Sequence, residues 1–230
     1  MTDPGSVRFY DLEGNFRGAV TVGSLPDMLT FTKDGKRVLV ANEAEPRGDV
    51  NPEGSISIID ISRGIVSATV KTAGFARFNG RKAQLQADGV RFIDADATVA
   101  QEIEPEYIAV ADDGHCAWVT LQENNALALV DVVAGRVRDI VPLGTKNHAQ
   151  PRNAFDASDD DGRINIATWP VRGMYMPDTI AAFTVGGRTW LITANEGDDR
   201  AKRLGSGASR SIRVCSRTRR RCKKARISAG

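Results

Sequence analysis

The feature that most constrains this chain is a unit that occurs three times with the same internal offsets. The copies run Leu25-Pro26-Asp27-Met28-Leu29-Thr30-Phe31, Glu104-Pro105-Glu106-Tyr107-Ile108-Ala109-Val110 and Met176-Pro177-Asp178-Thr179-Ile180-Ala181-Ala182-Phe183. Each continues through a turn, Asp34-Gly35, Asp113-Gly114 or Gly186-Gly187. Each then enters a second apolar run that closes on an acid, at Ala41-Asn42-Glu43, Leu121-Gln122-Glu123 and Ala194-Asn195-Glu196. Asp-Gly and Gly-Gly suit the positive φ of tight primed hairpin turns, so each unit predicts two antiparallel strands.

The first two units extend in parallel. Ser55 to Ile61 and Ala126 to Val132 read as third strands ending on Asp and an aliphatic residue, and Ile65 to Val70 and Arg136 to Val141 read as fourth strands. Val7 to Leu12 and Phe16 to Val22 repeat the third and fourth strands ahead of the first unit. Four strands per repeat of roughly forty residues is the periodicity of a β-propeller blade. No stretch of ten residues carries an apolar period of about 3.6. The expected fold is therefore all-β, a partial β-propeller of about two and a half to three four-stranded blades over 1–199. Insertions fall at Gly74 to Glu102 and Thr145 to Tyr175, as loops on one face where ligand sites usually sit.

Charge divides the chain. Residues 201–230 hold eleven of the 31 Lys and Arg and no acid, leaving 20 basic against 29 acidic residues before them, a balance of −9. An acidic body makes nucleic acid an unexpected partner, and the basic tail is expected to be disordered. Its run of Arg219-Arg220-Arg221 and Lys223-Lys224 is open to two readings, a frameshifted segment or a functional arm. Met1 to Tyr10 contains no apolar signal core, and no stretch has the ~18 consecutive apolar residues of a membrane span. Cys116, Cys215 and Cys222 make neither a disulfide framework nor a zinc pattern, and Cys116 is expected to be a buried, inert thiol.

The residues resemble a known group. Pro105 to Gly144, with Asn124-Asn125 and Leu129-Val130-Asp131, is similar to the YVTN-type propeller repeat. Ala41-Asn42-Glu43, Leu121 to Asn125, Phe155 to Asp159, Gly173-Met174-Tyr175 and Thr193 to Asp198 resemble the choice-of-anchor I family. Mesenchyme-specific cell-surface glycoproteins and atypical secreted alkaline phosphatases are similar to that family. The resemblance implies an extracellular or surface-anchored propeller. It departs from the pattern in having too few blades to close a ring, which predicts a truncated gene product with exposed strand edges.

The repeated acids are the sharpest chemical signal. Asp27, Glu106 and Asp178 follow the prolines, and Glu43, Glu123 and Glu196 close the second strands. Propeller symmetry would bring them to one face. With Asn42 and Asn195 they would form a site for Ca2+ or another divalent cation, since clustered carboxylates repel unless a cation is bound. The alternative is that Pro-acid and Asn-Glu cap loop N–H groups.

Asp156 to Gly162 looks like a calcium loop but misses the EF-hand pattern, because Gly162 falls at the seventh loop position and Ala167 replaces the bidentate Glu. His115 is expected in an exposed turn and His148 in the second insertion, neither in a zinc pattern. No nucleophile elbow, P-loop or dinucleotide fingerprint occurs. Trp118, Trp190 and Phe31 are expected to pack between blades. Two functions follow: a non-catalytic binding or adhesion scaffold for an extracellular protein or glycan, or a metal-dependent phosphoesterase.

Overall fold

The computed structural model describes residues 2–158 and 160–197. Strands β1 (Pro4–Tyr10) and β2 (Phe16–Ser24) form a two-stranded sheet. Strands β3 (Pro26–Phe31), β4 (Arg37–Asn42), β5 (Ser55–Asp60) and β6 (Thr69–Gly74) form an antiparallel blade in sequence order. The first insertion carries the short helices α1 (Lys82–Asp88) and α2 (Val99–Glu102). A second blade follows, β7 (Pro105–Val110), β8 (Cys116–Leu121), β9 (Ala126–Asp131) and β10 (Arg136–Pro142). In the second insertion β11 (Thr145–Asn147) pairs with β14 (Arg172–Met174), and β12 (Phe155–Asp156) with β13 (Ile166–Ala167). Strands β15 (Pro177–Val185) and β16 (Arg188–Asn195) end the described fold as a hairpin. The chain is thus a partial β-propeller, its described residues forming two complete blades between two half-blades.

Blade stacking sets the core. Strand β7 lies against β3 and β4 on one side and β15 on the other, while β2 packs on β4, β5 and β6. Inner strands β3, β7 and β15 therefore run side by side. Buried Leu39, Ile56 and Ile58 of the first blade join Ala117, Val119 and Ala128 of the second in one cluster. A smaller cluster joins Val7 and Val22 of the first half-blade to Val38, Val40 and Ile59.

The two Asp-Gly turns differ from the tight two-residue form expected. Only Gly35 and Gly114 have positive φ, at 67° and 70°, and the loops are longer. Thr32 explains the first: its backbone N–H donates to Arg37 O, its carbonyl accepts from Gly35, and its hydroxyl donates to Asp34 Oδ1. The Gly186-Gly187 turn is the expected one, with φ of 60° and 73° between directly paired Val185 and Arg188.

Two further expectations are corrected. The fourth strand of the first blade begins at Thr69, because Ile65–Ser67 forms a 3₁₀ turn. That turn sets Ile65 against the cluster that joins Val7 and Val22 of the half-blade to Val38 of its own blade. The first insertion is not an open loop. Phe75, Phe78, Leu85, Val99 and Ile103 are all at most 1% exposed and belong to the main core. Its helices are too short for a helical period to register in sequence. Thr98 caps α2 with a reciprocal capping box to Gln101, and Lys82 Nζ donates to the carbonyls of Asp94, Ala95 and Ala97.

Candidate carboxylate site on the inner strands

Each inner strand carries its Pro-linked acid at a ladder irregularity. The register shifts between Pro26 and Met28, between Pro105 and Ile108, and between Pro177 and Thr179. A bulge re-aims the side chain it carries, so one local device turns Asp27, Glu106 and Asp178 out of the normal alternation. Thr120 completes the arrangement in the second blade. Its fully buried hydroxyl accepts from the Tyr107 N–H and donates to the Asp178 carbonyl at 2.6 Å, linking the second blade to the last hairpin beside the acids.

The strand-end acids are not equivalent. Asn42 pairs with Pro26 and Asn195 with Pro177, whereas Leu121 pairs with Pro105. Gln122 therefore holds the register of Glu43, and Glu123 lies one residue beyond. The N–H groups of Glu43 and Glu196 donate to the carbonyls of Leu25 and Met176, two residues held at φ of 48° and 44°.

One carboxylate oxygen from each of Asp27, Glu43 and Glu106 can be chosen so that all lie within 4.8 Å of one another. The three come from adjacent blades and span the range from exposed Asp27 to buried Glu106. Desolvation raises the Glu106 carboxyl to about 10, with the charges of Glu43, Glu123, Asp27 and Asp178 adding to the effect. Desolvation also raises Asp27, a hydrogen bond with Glu106 opposes the rise, and the charge of Asp178 adds to it. At neutral pH Glu106 is therefore a protonated acid donating to the Asp27 carboxylate.

Of the six acids and two amides singled out in the sequence, Asp27, Glu43 and Glu106 meet, and the charges of Glu123 and Asp178 act on Glu106. On the last hairpin Asn195 Oδ1 accepts from the Thr193 hydroxyl, and Glu196 is exposed. Asn42 is wholly buried and donates through Nδ2 to the hydroxyls of Ser55 and Ser57.

The remaining candidates have structural surroundings. Asp156 accepts from the N–H groups of Ser158 and Asn165, and Asp161 pairs with Arg163. Asp159 lies outside the described residues, as does the basic tail. His115 is exposed beside Asp113 in its turn, and His148 Nδ1 is 2.8 Å from the Asn153 carbonyl, its ring against Phe155. Cys116 is only half-buried. Trp118 packs with Ala109, Leu127 and Ile180 between blades, but Phe31, near the turn at the end of β3, is 53% exposed.

Sequence reading missed the work of Asn124 and Asn125, both at most 1% exposed. Asn124 donates to the carbonyls of Arg91 and Glu102 and accepts from the Glu104 N–H, fastening the first insertion. Asn125, at φ 50°, donates to Gly144 O and accepts from the N–H groups of Tyr175 and Met176, fastening both feet of the second. Two adjacent asparagines closing a strand pair were the available signal, since Asn tolerates positive φ and offers both donor and acceptor.

The profile of the choice-of-anchor I domain matches residues 1–224 of the chain. The chain belongs to the choice-of-anchor I family. A comparison with curated proteins found no match. Among solved structures, the hydrazine synthase of Kuenenia stuttgartiensis matches at 12% identity and a TM-score of 0.47, over 84% of this chain and 49% of that one. The periplasmic gluconolactonase of Pseudomonas aeruginosa matches at 12% identity and 0.44, over 84% and 43%. A β-propeller domain from Myceliophteria thermophila matches at 8% identity and 0.30, over 84% and 58%. This choice-of-anchor I chain spans about half the length of each of these structures. No helix among its described residues is long and apolar enough to cross a membrane.

Proposed function

We propose that this choice-of-anchor I propeller is a non-catalytic binding or adhesion scaffold, extracellular or displayed at a cell surface, for a protein or glycan ligand. Its clustered carboxylates Asp27, Glu43 and Glu106 take a divalent hard cation, Ca2+ first among them. The observation that carries the cation is the meeting of Asp27, Glu43 and Glu106 within 4.8 Å, with Glu123 and Asp178 adding negative charge. Ca2+ holds its oxygens at about 2.4 Å, so ligands on opposite sides of it stand about 4.8 Å apart. A cation there would join two blades and replace the proton on Glu106, serving as a rivet for a recognition surface.

Titration calorimetry of the full chain with Ca2+, Mg2+ and Mn2+ tests the cation, with Glu43→Gln as the comparison. Saturable binding that the substitution weakens at least tenfold is expected. Absence of binding, or binding indifferent to Glu43, overturns it. Hydrolysis of p-nitrophenyl phosphate with and without Ca2+ tests the non-catalytic reading, and cation-dependent turnover would replace it with a phosphoesterase.

A further inference from the structure

Residues 43–54 join β4 to β5, whereas the equivalent join in the second blade takes only residues 122–125. The added length is held at both feet. The Glu43 N–H donates to Leu25 O, and Ala44, at φ 60°, is 1% exposed. At the other foot Gln101 Nε2 of α2 donates to Asn51 O at 3.1 Å, and the Gly54 N–H donates to Ala100 O. Between these anchors stand Arg47, Gly48, Asp49 and Val50, all four exposed.

The four close a tight turn. The Arg47 N–H donates to Val50 O at 2.9 Å and the Val50 N–H donates back to Arg47 O at 3.2 Å, the mutual pair of an antiparallel bridge. Gly48 has a φ of 61°, while Asp49 keeps a negative φ. That is the pattern of a two-residue hairpin turn with glycine at its first central position. Pro46 and Pro52 restrict the backbone on either side. A partner therefore meets a tip that is already ordered, which lowers the cost of binding it.

The tip displays one cation and one anion. Among the described residues, neither the Arg47 guanidinium nor the Asp49 carboxylate has a hydrogen bond or an ion pair, with the other or with any neighbour. An exposed pair between a carboxylate and a flexible ammonium gains only about 0–1 kcal/mol. A partner that reads Asp49 firmly needs a divalent cation with an open coordination position, which takes a carboxylate oxygen directly. Arg47 is read best by carboxylates that meet its planar fork. Arg-Gly-Asp on an exposed turn is the signal read by cell-adhesion receptors built in this way.

We propose that the turn at residues 47–49 docks such a receptor, a cell-surface protein that holds Asp49 through its own divalent cation and Arg47 through its own carboxylates. The inference rests on the adhesive, surface-displayed reading above and names its partner. The cation belongs to the receptor and is distinct from the one assigned to Asp27, Glu43 and Glu106.

Attachment of fibroblasts to a surface coated with the full chain tests this. Cells supplied with Mg2+ and Mn2+ should attach to the parent protein. EDTA or the soluble peptide Gly-Arg-Gly-Asp-Ser should release them, and Gly-Arg-Gly-Glu-Ser should not. Asp49→Glu keeps the charge but moves the carboxylate by one methylene; it should melt with the parent and hold roughly tenfold fewer cells. Arg47→Ala should lower attachment as well. Absence of attachment overturns the proposal, as does attachment indifferent to the peptide and to Asp49→Glu. Attachment that heparin removes in place of the peptide also overturns it, by moving the contact to the basic residues 201–230. Calorimetric Ca2+ binding by Asp49→Glu should match that of the parent, so failure of the turn and failure of the carboxylate site are told apart.

Discussion

Replacing Glu106 with glutamine should make the cation-free protein more stable at neutral pH, although it removes a buried side chain's acid function. Glu106 moves from 4.5 in the unfolded chain to about 10 in the fold. A carboxyl raised in this way contributes stability that is fully present below pH 4.5 and is lost as pH climbs toward 10. Each pH unit in that window costs about 1.4 kcal/mol, so at pH 7 the penalty is about 3 kcal/mol. Glutamine is neutral at every pH and can still donate to Asp27. Urea denaturation in EDTA, followed by tryptophan fluorescence at pH 5, 7 and 9, reads the difference. The gain from Glu106→Gln should be small at pH 5, reach about 3 kcal/mol at pH 7 and grow further at pH 9. A variant no more stable than the parent at pH 7, or a difference that stays flat across the range, would refute a desolvated, charge-crowded Glu106.

Added Ca2+ should reverse the pH trend, because binding must displace the Glu106 proton; affinity should rise up to about tenfold per pH unit below pH 9, with proton uptake by the buffer detected calorimetrically. Asn125→Gly keeps the positive φ but deletes three hydrogen bonds, one buried and two part-buried, so it should cost about 3 kcal/mol in urea denaturation and speed amide exchange between Thr145 and Tyr175. Phe78→Ala empties a core position that is 1% exposed and should cost about 3–5 kcal/mol. A Cβ at Gly54 would stand 2.0 Å from the Ile103 carbonyl oxygen, so Gly54→Ala should lower the melting temperature by about 10 °C or more, read by circular dichroism.

The blades were legible because each strand pair is local and repeats. Pro26, Pro105 and Pro177 open the inner strands as expected, and an apolar run after a glycine turn has few other uses. The helices of the first insertion escaped notice for the opposite reason. Leu85, Val99 and Ile103 are buried by blades distant in sequence, and each helix is too short to display a period. The gathering of Asp27, Glu43 and Glu106 could be anticipated from symmetry alone, because equivalent positions on neighbouring blades face one axis. What symmetry could not convey is the one-residue offset at Glu123, which depends on Leu121 rather than Gln122 lying opposite Pro105.

The paired asparagines at 124 and 125 divide the labour between the two excursions from the blades. The excursion moored by Asn124 is filled with core side chains, so alteration there disturbs the interior. The one moored by Asn125 is held at both feet and carries outward-facing residues such as Ile164, which is 88% exposed. Sequence drift can therefore accumulate on that outer hairpin pair without unsettling the wheel beneath it. A foreign hairpin spliced into residues 148–171 should therefore leave the melting curve of the blades unchanged.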